Sequence, residues 1–561
     1  MATDMATDMG IDMKHDQLSV AVQLKLALVT LPLISSAVFA QVITPGSALP
    51  QTPSQSAPQP AFLSQDNLGD DDGRAFSIKP RIRLSETWSD NVSLYSGSNS
   101  GKESGFITEV APGVHIDART ERLKGYFDYA LSGLFYTKPS GYSQSQNQLN
   151  TFGTLEAVSN WLFLDFSGII AQQAISAFGS QSPSTSNINS NMTETSTYRV
   201  SPYIRGQLAG LAEYTVRYNY STTHANTSNV SDIKLSEWMG NLRGGTPFQS
   251  LRWALDASQQ TADYSLGRTT DLERINTSLT YTVVPQLRVT ATGGQESNNF
   301  ASADKVTHTT SGYGFDWSPT ERTQLSAFKE KRFFGDGHRY SFNHRFPLSS
   351  VSYTDTKDVS ILPNQFTSIG LGTIYDLFRQ ICSQQLASQY SDPVQLDIAA
   401  NNCAANIVPP SIRNTQIVSS FLSSQATILR SQQLALAMQG ARNTLTLMFN
   451  RNESQNILAS GSISNDFFNN GINDIKQRGV SISLSHQLSG DSSANLMASR
   501  QESTSPGNAA LKANTMLYQG GVSSKIGAKT IGSITVRHSK FDNAITPYTE
   551  NAIVGTVSVI F

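Results

Sequence analysis

The chain closes on "NAIVGTVSVIF" (Asn551–Phe561). Ile553, Val557, Val559 and Phe561 take alternate positions, Gly555 shares their parity, and Thr556 and Ser558 fall between them. A period of two is the mark of a strand with one greasy face and one wet face. Chain ends usually fray into polar residues, yet here the alternation runs on to a terminal aromatic. The fold turns on what the apolar face touches.

The same alternation recurs upstream. In "FSIKPRIRLSETW" (76–88), Phe76, Ile78, Pro80, Ile82, Leu84 and Trp88 share one face, and Lys79, Arg81, Arg83, Ser85 and Thr87 the other. "LKGYFDYALSGLF" (123–135) sets Phe127, Tyr129, Leu131 and Phe135 against Lys124, Tyr126, Asp128 and Ser132. Tyr214, Val216, Tyr218 and Tyr220 alternate with Glu213, Thr215, Arg217 and Asn219, and Leu251, Trp253 and Leu255 with Arg252 and Asp256. The polar faces carry too much charge for the two-sided core of a sandwich. One face suits hydrocarbon and the other water.

Composition agrees. The 561 residues are 15% charged and 38% hydrophobic, with 9% aromatics and a formal net charge of −2. That balance gives no electrostatic case for nucleic acid as a partner. No window holds the roughly 20 apolar residues of a membrane helix; a transmembrane β-strand needs only about 10 residues of alternating character. Short links at 119–122, 159–160, 206–210, 283–286, 318–321, 440–443 and 489–492 alternate with longer polar stretches at 90–104, 137–147, 171–195, 221–233, 293–306 and 454–473. Short turns on one rim and long loops on the other belong to outer-membrane barrels, the short turns being periplasmic. The expectation is therefore an all-β fold, a large antiparallel transmembrane barrel of about 22 strands, in contact with outer-membrane lipid. A soluble propeller or solenoid would show a fixed-length repeat, and none is found.

The organisation expected along the chain has three parts. Residues 1–40 form a secretory signal peptide, with Lys14, His15 and Lys25 ahead of "LALVTLPLISSAVFA" and cleavage after Ala40. The duplication "MATDMATDMG" suggests Met13 as the natural start. Residues 41–73, rich in Pro, Ser and Gln, form a disordered periplasmic tether. Residues 74–561 form the barrel. Within it, 361–425 breaks the alternation: Ile374, Leu377, Phe378 and Ile381 fit one helical face, as do Val418, Phe421 and Leu422. A partly helical insertion cannot stand in the lipid-facing wall, so it constricts the lumen, caps the mouth or extends from it. It holds the chain's two cysteines, Cys382 and Cys403, and an exported chain favours a local disulfide between them, which would contribute on the order of 3 kcal/mol.

Bacterial outer-membrane barrels commonly end on Phe or Trp, and the barrel assembly machinery reads the last strand. Val557, Val559 and Phe561 resemble that signal, although Thr556 stands where the usual pattern has Gly. Further stretches resemble one family in order: "RLSETWSDNVSL" (83–94), "EVAPGVHIDARTERLKGYFDYAL" (109–131), "AVSNWLFLDFSGIIAQQAISAFG" (157–179), "GQESNNF" (294–300) and "DWSPTERTQLSAFKEKRFFGDG" (316–337). Together they are similar to the PEP-CTERM-system-associated outer-membrane proteins. That resemblance implies a Gram-negative outer membrane and a setting beside exopolysaccharide loci and the exosortase sorting system, with exopolysaccharide and its export components as partners. It brings no catalytic residues.

No enzyme emerges. The eight histidines are scattered, without HExxH, CxxC, GxSxG or a P-loop, and no cofactor or metal is expected. His538, Ser539 and Asn543 in "VRHSKFDN" fit a polar strand end as well as a hydrolase site. Residues of inward parity include Arg81, Arg83, Lys124, Tyr126, Asp128, Glu156, Phe163, Tyr203, Arg217, Arg252, Arg274 and Arg288. Their mixture reads as a hydrated, charge-compensated wall. Tyr126, Phe152, Phe163 and Tyr203 offer ring faces on which sugars could slide, or bulk that fills space. The two functions expected are a pore or scaffold accessory to export, and a non-conducting barrel that binds surface polymer through its outer loops.

Overall fold

The computed structural model describes residues 75–96, 102–302, 304–361, 400, 421–422, 426–457, 474–506 and 508–561. The first strands are β1 (Phe76–Ser89), β2 (Gly105–Arg119), β3 (Leu123–Tyr136), β4 (Ser143–Val158), β5 (Leu162–Ala174), β6 (Met192–Leu208) and β7 (Ala212–Ala225). There follow β8 (Ile233–Gly245), β9 (Leu251–Tyr264), β10 (Thr270–Val284), β11 (Leu287–Asn298), β12 (Val306–Thr320), β13 (Thr323–Arg332), β14 (Gly335–Arg345) and β15 (Ser349–Ser360). The last are β16 (Thr427–Gln439), β17 (Asn443–Asn456), β18 (Asp474–Gln487), β19 (Ser492–Ser505), β20 (Asn508–Gly527), β21 (Thr530–Asn543) and β22 (Tyr548–Ile560).

Each strand pairs antiparallel with its chain neighbours, and β22 closes on β1 from Arg81↔Ile560 to Ser89↔Ala552. The chain is a closed 22-stranded β-barrel, as the alternation and turn spacing lead one to expect. Closure leaves no edge, which hydrocarbon demands because an unpaired backbone group there has no water to turn to. Phe561 adds one more bond, its amide donating to the Pro80 carbonyl at 2.9 Å.

Side-chain parity sorts cleanly. Ile78, Leu84, Leu131, Ile482, Leu496 and Ile534 are exposed on the outside, where lipid covers them. Aromatic residues bound this belt. Phe76, Trp161, Tyr281, Trp317 and Phe561 lie toward the rim that holds the chain end, and Trp88, Phe106, Tyr198, Tyr220 and Trp238 higher on the wall. In β1, Phe76 and Trp88 are twelve positions apart. At about 3.3 Å per residue and a tilt near 40° that is roughly 30 Å of height, a bilayer core.

The terminal rim has tight turns throughout, the longest being 246–250. The far rim has the connections 90–104, 175–191, 361–426 and 457–473. Several far-rim loops are shorter than the sequence leads one to expect: 137–147 contracts to 137–142, 171–195 to 175–191, 221–233 to 226–232 and 293–306 to 299–305. Apolar alternation marks only the stretch that touches acyl chains. Above it the strands continue with polar residues on both faces, and backbone pairing holds without a hydrophobic signal.

The insertion's first expected helix, around Ile374–Ile381, and the pair Cys382–Cys403 lie outside the described residues. For the second expected helix the structure gives a correction at Phe421 and Leu422. They are extended, Phe421 forming a parallel bridge with Ala174 at the end of β5 and the Leu422 amide donating to the Ala174 carbonyl at 3.1 Å. A backbone bridge to a strand end competes with helix, and here the bridge wins.

Candidate functional site

The inner wall carries its charges as lateral pairs. Arg81 on β1 grips Asp128 on β3 with both guanidinium nitrogens, at 2.8 and 2.5 Å, and both side chains are almost fully buried. His115 on β2 sits 3.0 Å from Asp128 Oδ2 and 3.2 Å from Asp117 Oδ2. Arg83 donates to Glu109 Oε1 at 2.6 Å, and Ser132 donates to the same oxygen at 2.9 Å. Further round, Arg274 pairs with Glu330, and Arg332 donates to Glu296 Oε2 at 2.8 Å and also pairs with Asp358. Arg288 stands opposite Asp316 at 3.9 Å. Lys124 has inward parity, and Arg252 is inward and exposed. Glu156 accepts from the Asn160 amide, so it caps the β4–β5 turn. Such pairing neutralises charge where the wall is driest, since an unpaired buried ion costs several kcal/mol.

The aromatic residues do not form open ring faces at every position. Phe163 and Tyr203 stack at 5.0 Å between centroids and 14° between planes. The Arg205 guanidinium lies 4.2 Å from the Phe163 centroid and that of Arg217 4.0 Å from the Tyr203 centroid. Arg217 also donates to Asp165 Oδ2 at 2.7 Å, and Thr154 to Asp165 Oδ1 at 2.7 Å. Phe163 is only 5% exposed. The guanidinium contact and the stack cover this ring, so it is structural bulk. Tyr126 donates to Asn150 Oδ1 at 3.2 Å and lies nearly parallel to His115; Phe152 is its inward cross-strand neighbour.

The far mouth is covered from within, which the alternation alone did not reveal. Loop 175–191 folds back along the inner wall. Its Ile188 amide donates to the Val92 carbonyl at 3.1 Å, and its Ser186 carbonyl accepts from Tyr136 at 2.7 Å. Gln146 donates to the Thr185 carbonyl at 2.8 Å, and Asn543 to the Phe178 carbonyl at 2.8 Å. At the centre is Glu550 on β22, fully buried and accepting from Asn187 at 2.7 Å, Ser89 at 2.9 Å, Arg537 at 3.1 Å and Ser539 at 3.1 Å. The insertion contributes Phe421, 2% exposed, which clusters with Phe178, Phe541 and Tyr548. Phe421 is fixed beside β5, although the connection that carries it leaves β15 and returns to β16. The opposite side is pinched as well: Tyr264 at the end of β9 donates to the Ile361 carbonyl just past β15, at 3.1 Å, among Ile233, Leu235 and Phe300. The signal for this cover was compositional. Loop 175–191 is a run of Ser, Asn and Gln, whose side chains bond backbone groups and give a loop its own framework.

The remaining sequence candidates take ordinary places. His538 and Ser539 point to opposite faces of β21: His538 bonds Asn551 Oδ1 at 2.7 Å on the outside, and Ser539 bonds Glu550 on the inside. They form no dyad. Val557 and Val559 lie on the outward face beside Leu84 and Ile82, with Phe561 exposed at the rim. Among the described residues no cluster of His, Cys, Asp and Glu could hold a metal ion.

No protein-family model and no curated protein sequence matches the chain. Solved structures with similar architecture include the siderophore receptor PirA from Pseudomonas aeruginosa, at 7% identity and TM-score 0.41, covering 86% of this chain and 80% of that one. The FrpB iron transporter from Neisseria meningitidis is similar at 8% identity and TM-score 0.46, covering 86% and 81%. BauA, the ferric preacinetobactin receptor from Acinetobacter baumannii, is similar at 10% identity and TM-score 0.43, covering 87% and 80%. At this level of likeness nothing about cargo transfers. The chain is a large β-barrel of outer-membrane type.

Proposed function

We propose that this barrel is a self-covered conduit for a polar polymer, working beside an exopolysaccharide-export or exosortase-linked sorting system in a Gram-negative outer membrane. The observation that carries the reading is loop 175–191, which folds inward over one side of a polar-walled lumen and is hydrogen-bonded to Tyr136, Gln146 and, through Asn187, Glu550. Each such bond contributes a net of about 0.5–1.5 kcal/mol, so the loop is held by several weak bonds that must release together. The family resemblance supplies the setting and the cargo class. Along the wall, Gln144, Gln146, Gln148 and Asn150 stand in one inward row on β4; the last three are buried, Gln146 against the loop through the Thr185 carbonyl and Asn150 against Tyr126. The assembly machinery would take up the strand ending at Phe561, and the export components would meet the terminal rim.

The test is conductance. The purified barrel in planar bilayers is expected to show small, intermittent currents, and a variant lacking 176–190 large and steady ones. Absence of current in both would refute the conduit. It would leave the second reading, a non-conducting barrel that binds surface polymer, which the direct contact between Tyr264 and Ile361 favours.

A further inference from the structure

Outside the barrel, just above the apolar belt on the far-rim half, one sector is basic. Arg451 on β17, Lys476 and Arg478 on β18, Arg500 on β19 and Lys512 on β20 all have outward parity. Three carboxylates, Glu453, Asp474 and Glu502, sit among them. Glu453 takes Arg451 at 2.6 Å and Lys476 at 3.8 Å, and Glu502 takes Lys512 at 3.4 Å. Arg478 and Arg500 are exposed, with no carboxylate within ion-pair distance among the described residues. Moreover, Arg451 and Arg478 are direct cross-strand partners. On its other side Arg478 faces Glu502, and Arg500 donates to Asn514 Oδ1 at 3.2 Å; the Arg451–Arg478 pair still sets like charges opposite each other, which an anion lying across both would relieve.

The neighbours of the patch define that anion. Two residues below Arg451 is Phe449, two below Arg478 is Val480, and Val480 is the cross-strand partner of Arg500. Phe449 and Val480 are both exposed on the lipid face. The cations therefore border acyl chains directly.

We infer that the outward face of β17–β20 is a binding site for a phosphorylated membrane lipid, its phosphates on Arg451, Arg478 and Arg500 and its acyl chains on the belt beneath. Planar guanidinium groups suit phosphate oxygens, and the site lies where the outward apolar residues of β17–β19 give way to charge, on the side away from the chain end.

The experiment uses the full-length barrel in neutral detergent, titrated with bis-phosphorylated lipid A, with the same lipid dephosphorylated, and with inorganic phosphate. Thermal unfolding and native mass spectrometry read the binding. Lipid A is expected to raise the unfolding midpoint and remain bound as one or two copies, with affinity falling as salt rises. Arg478→Gln with Arg500→Gln should weaken it roughly thirtyfold, as for two cations at an anionic surface. Without lipid, Arg478→Gln should fold about as well as the native chain, because it removes both the repulsion from Arg451 and the attraction of Glu502. Glu273→Gln should leave binding unchanged. Equal binding by the native and doubly substituted barrels would overturn the site, as would equal binding of the dephosphorylated lipid. Should inorganic phosphate bind as tightly as lipid A, the site would be a plain anion site and the assignment to lipid would fall. Lys512→Gln, which leaves the arginines in place, offers a milder variant in case the double substitution fails to assemble.

Discussion

Replacing Asp128 with Asn tests how dry the inner wall is. Arg81 and Asp128 are 5% and 2% exposed, and the pair is bidentate with His115 as a third contact. At an effective dielectric near 20, charges about 4 Å apart attract by about 4 kcal/mol. The amide keeps the shape but loses the charge, and its NH2 group faces the Arg81 donors on one arm. A buried cation left without its partner costs roughly 3–5 kcal/mol, so Asp128→Asn should destabilise the barrel by about 3 kcal/mol, on the order of 150-fold in the unfolding equilibrium. The double variant Arg81→Met/Asp128→Leu should return close to the native value, because a well-packed apolar pair often replaces a buried ion pair without loss. Urea titration in lipid vesicles measures both. Trp88, Trp238, Trp253 and Trp317 lie on outward faces, so their fluorescence reports insertion. If Asp128→Asn unfolds within about 0.5 kcal/mol of the native barrel, as solvated pairs do, water reaches the pair and the account of a dry lower wall fails.

Three further outcomes follow from single contacts. Gly125→Ala should cost more than Gly153→Ala. A Cβ at 125 meets the Phe152 carbonyl oxygen at 2.3 Å and Gly153 Cα at 2.5 Å, both backbone, whereas one at 153 meets the Phe166 ring, which can swing into lipid. About 1–3 kcal/mol separates such overpacking from a tolerated change, and reversed order in urea midpoints would refute it. Glu550→Gln weakens the latch on Asn187 and Arg537 and should raise the open fraction in bilayers severalfold, a change absent if loop 175–191 is not the gate. Removal of Phe561 should lower outer-membrane yield while the isolated chain still folds in detergent; an undiminished yield in cells would deny it a role in assembly.

The barrel was legible in the sequence because lipid and water impose opposite demands on alternate residues, and that contrast survives in single segments such as 76–88. The inward parity of Arg81, Asp128, Phe163 and Arg217 could be read in the same way. What parity could not supply was partnership. Arg81 meets Asp128 from two strands away and Arg274 meets Glu330 from three, distances fixed by tilt and register rather than by anything local. Glu156 had the right parity yet serves a turn, because at a strand end the nearest unmet donor is backbone. The covered mouth was hidden for another reason. Loop 175–191 has few apolar residues to betray burial, and its contacts on β1–β4, β21 and β22 depend on closure of the whole cylinder.

Closure also separates stability from gating. In a wall whose strands lie about 4.8 Å apart, an arginine and a carboxylate reaching toward each other span at most a few strands, and the inward pairs stay in that range: Arg83–Glu109 spans one step, Arg217–Asp165 two and Arg274–Glu330 three. Such bonds stiffen the wall without filling the lumen. Contacts of longer reach gather at the far mouth, where Tyr264 meets Ile361 six strands away and loop 175–191 meets β22. Opening the mouth therefore need not break a wall pair. Variants in the wall, Asp128→Asn or Asp165→Asn, should lower the urea midpoint and leave single-channel conductance unchanged. Variants in the mouth should change conductance: Tyr264→Phe, which removes one buried hydrogen bond, at a stability cost of about 1 kcal/mol, and Glu550→Gln, which leaves the buried Arg537 without its carboxylate, at roughly the 3 kcal/mol expected of Asp128→Asn. If wall variants alter conductance as strongly as mouth variants do, the cylinder and its cover move as one body, and a gate distinct from the wall does not exist.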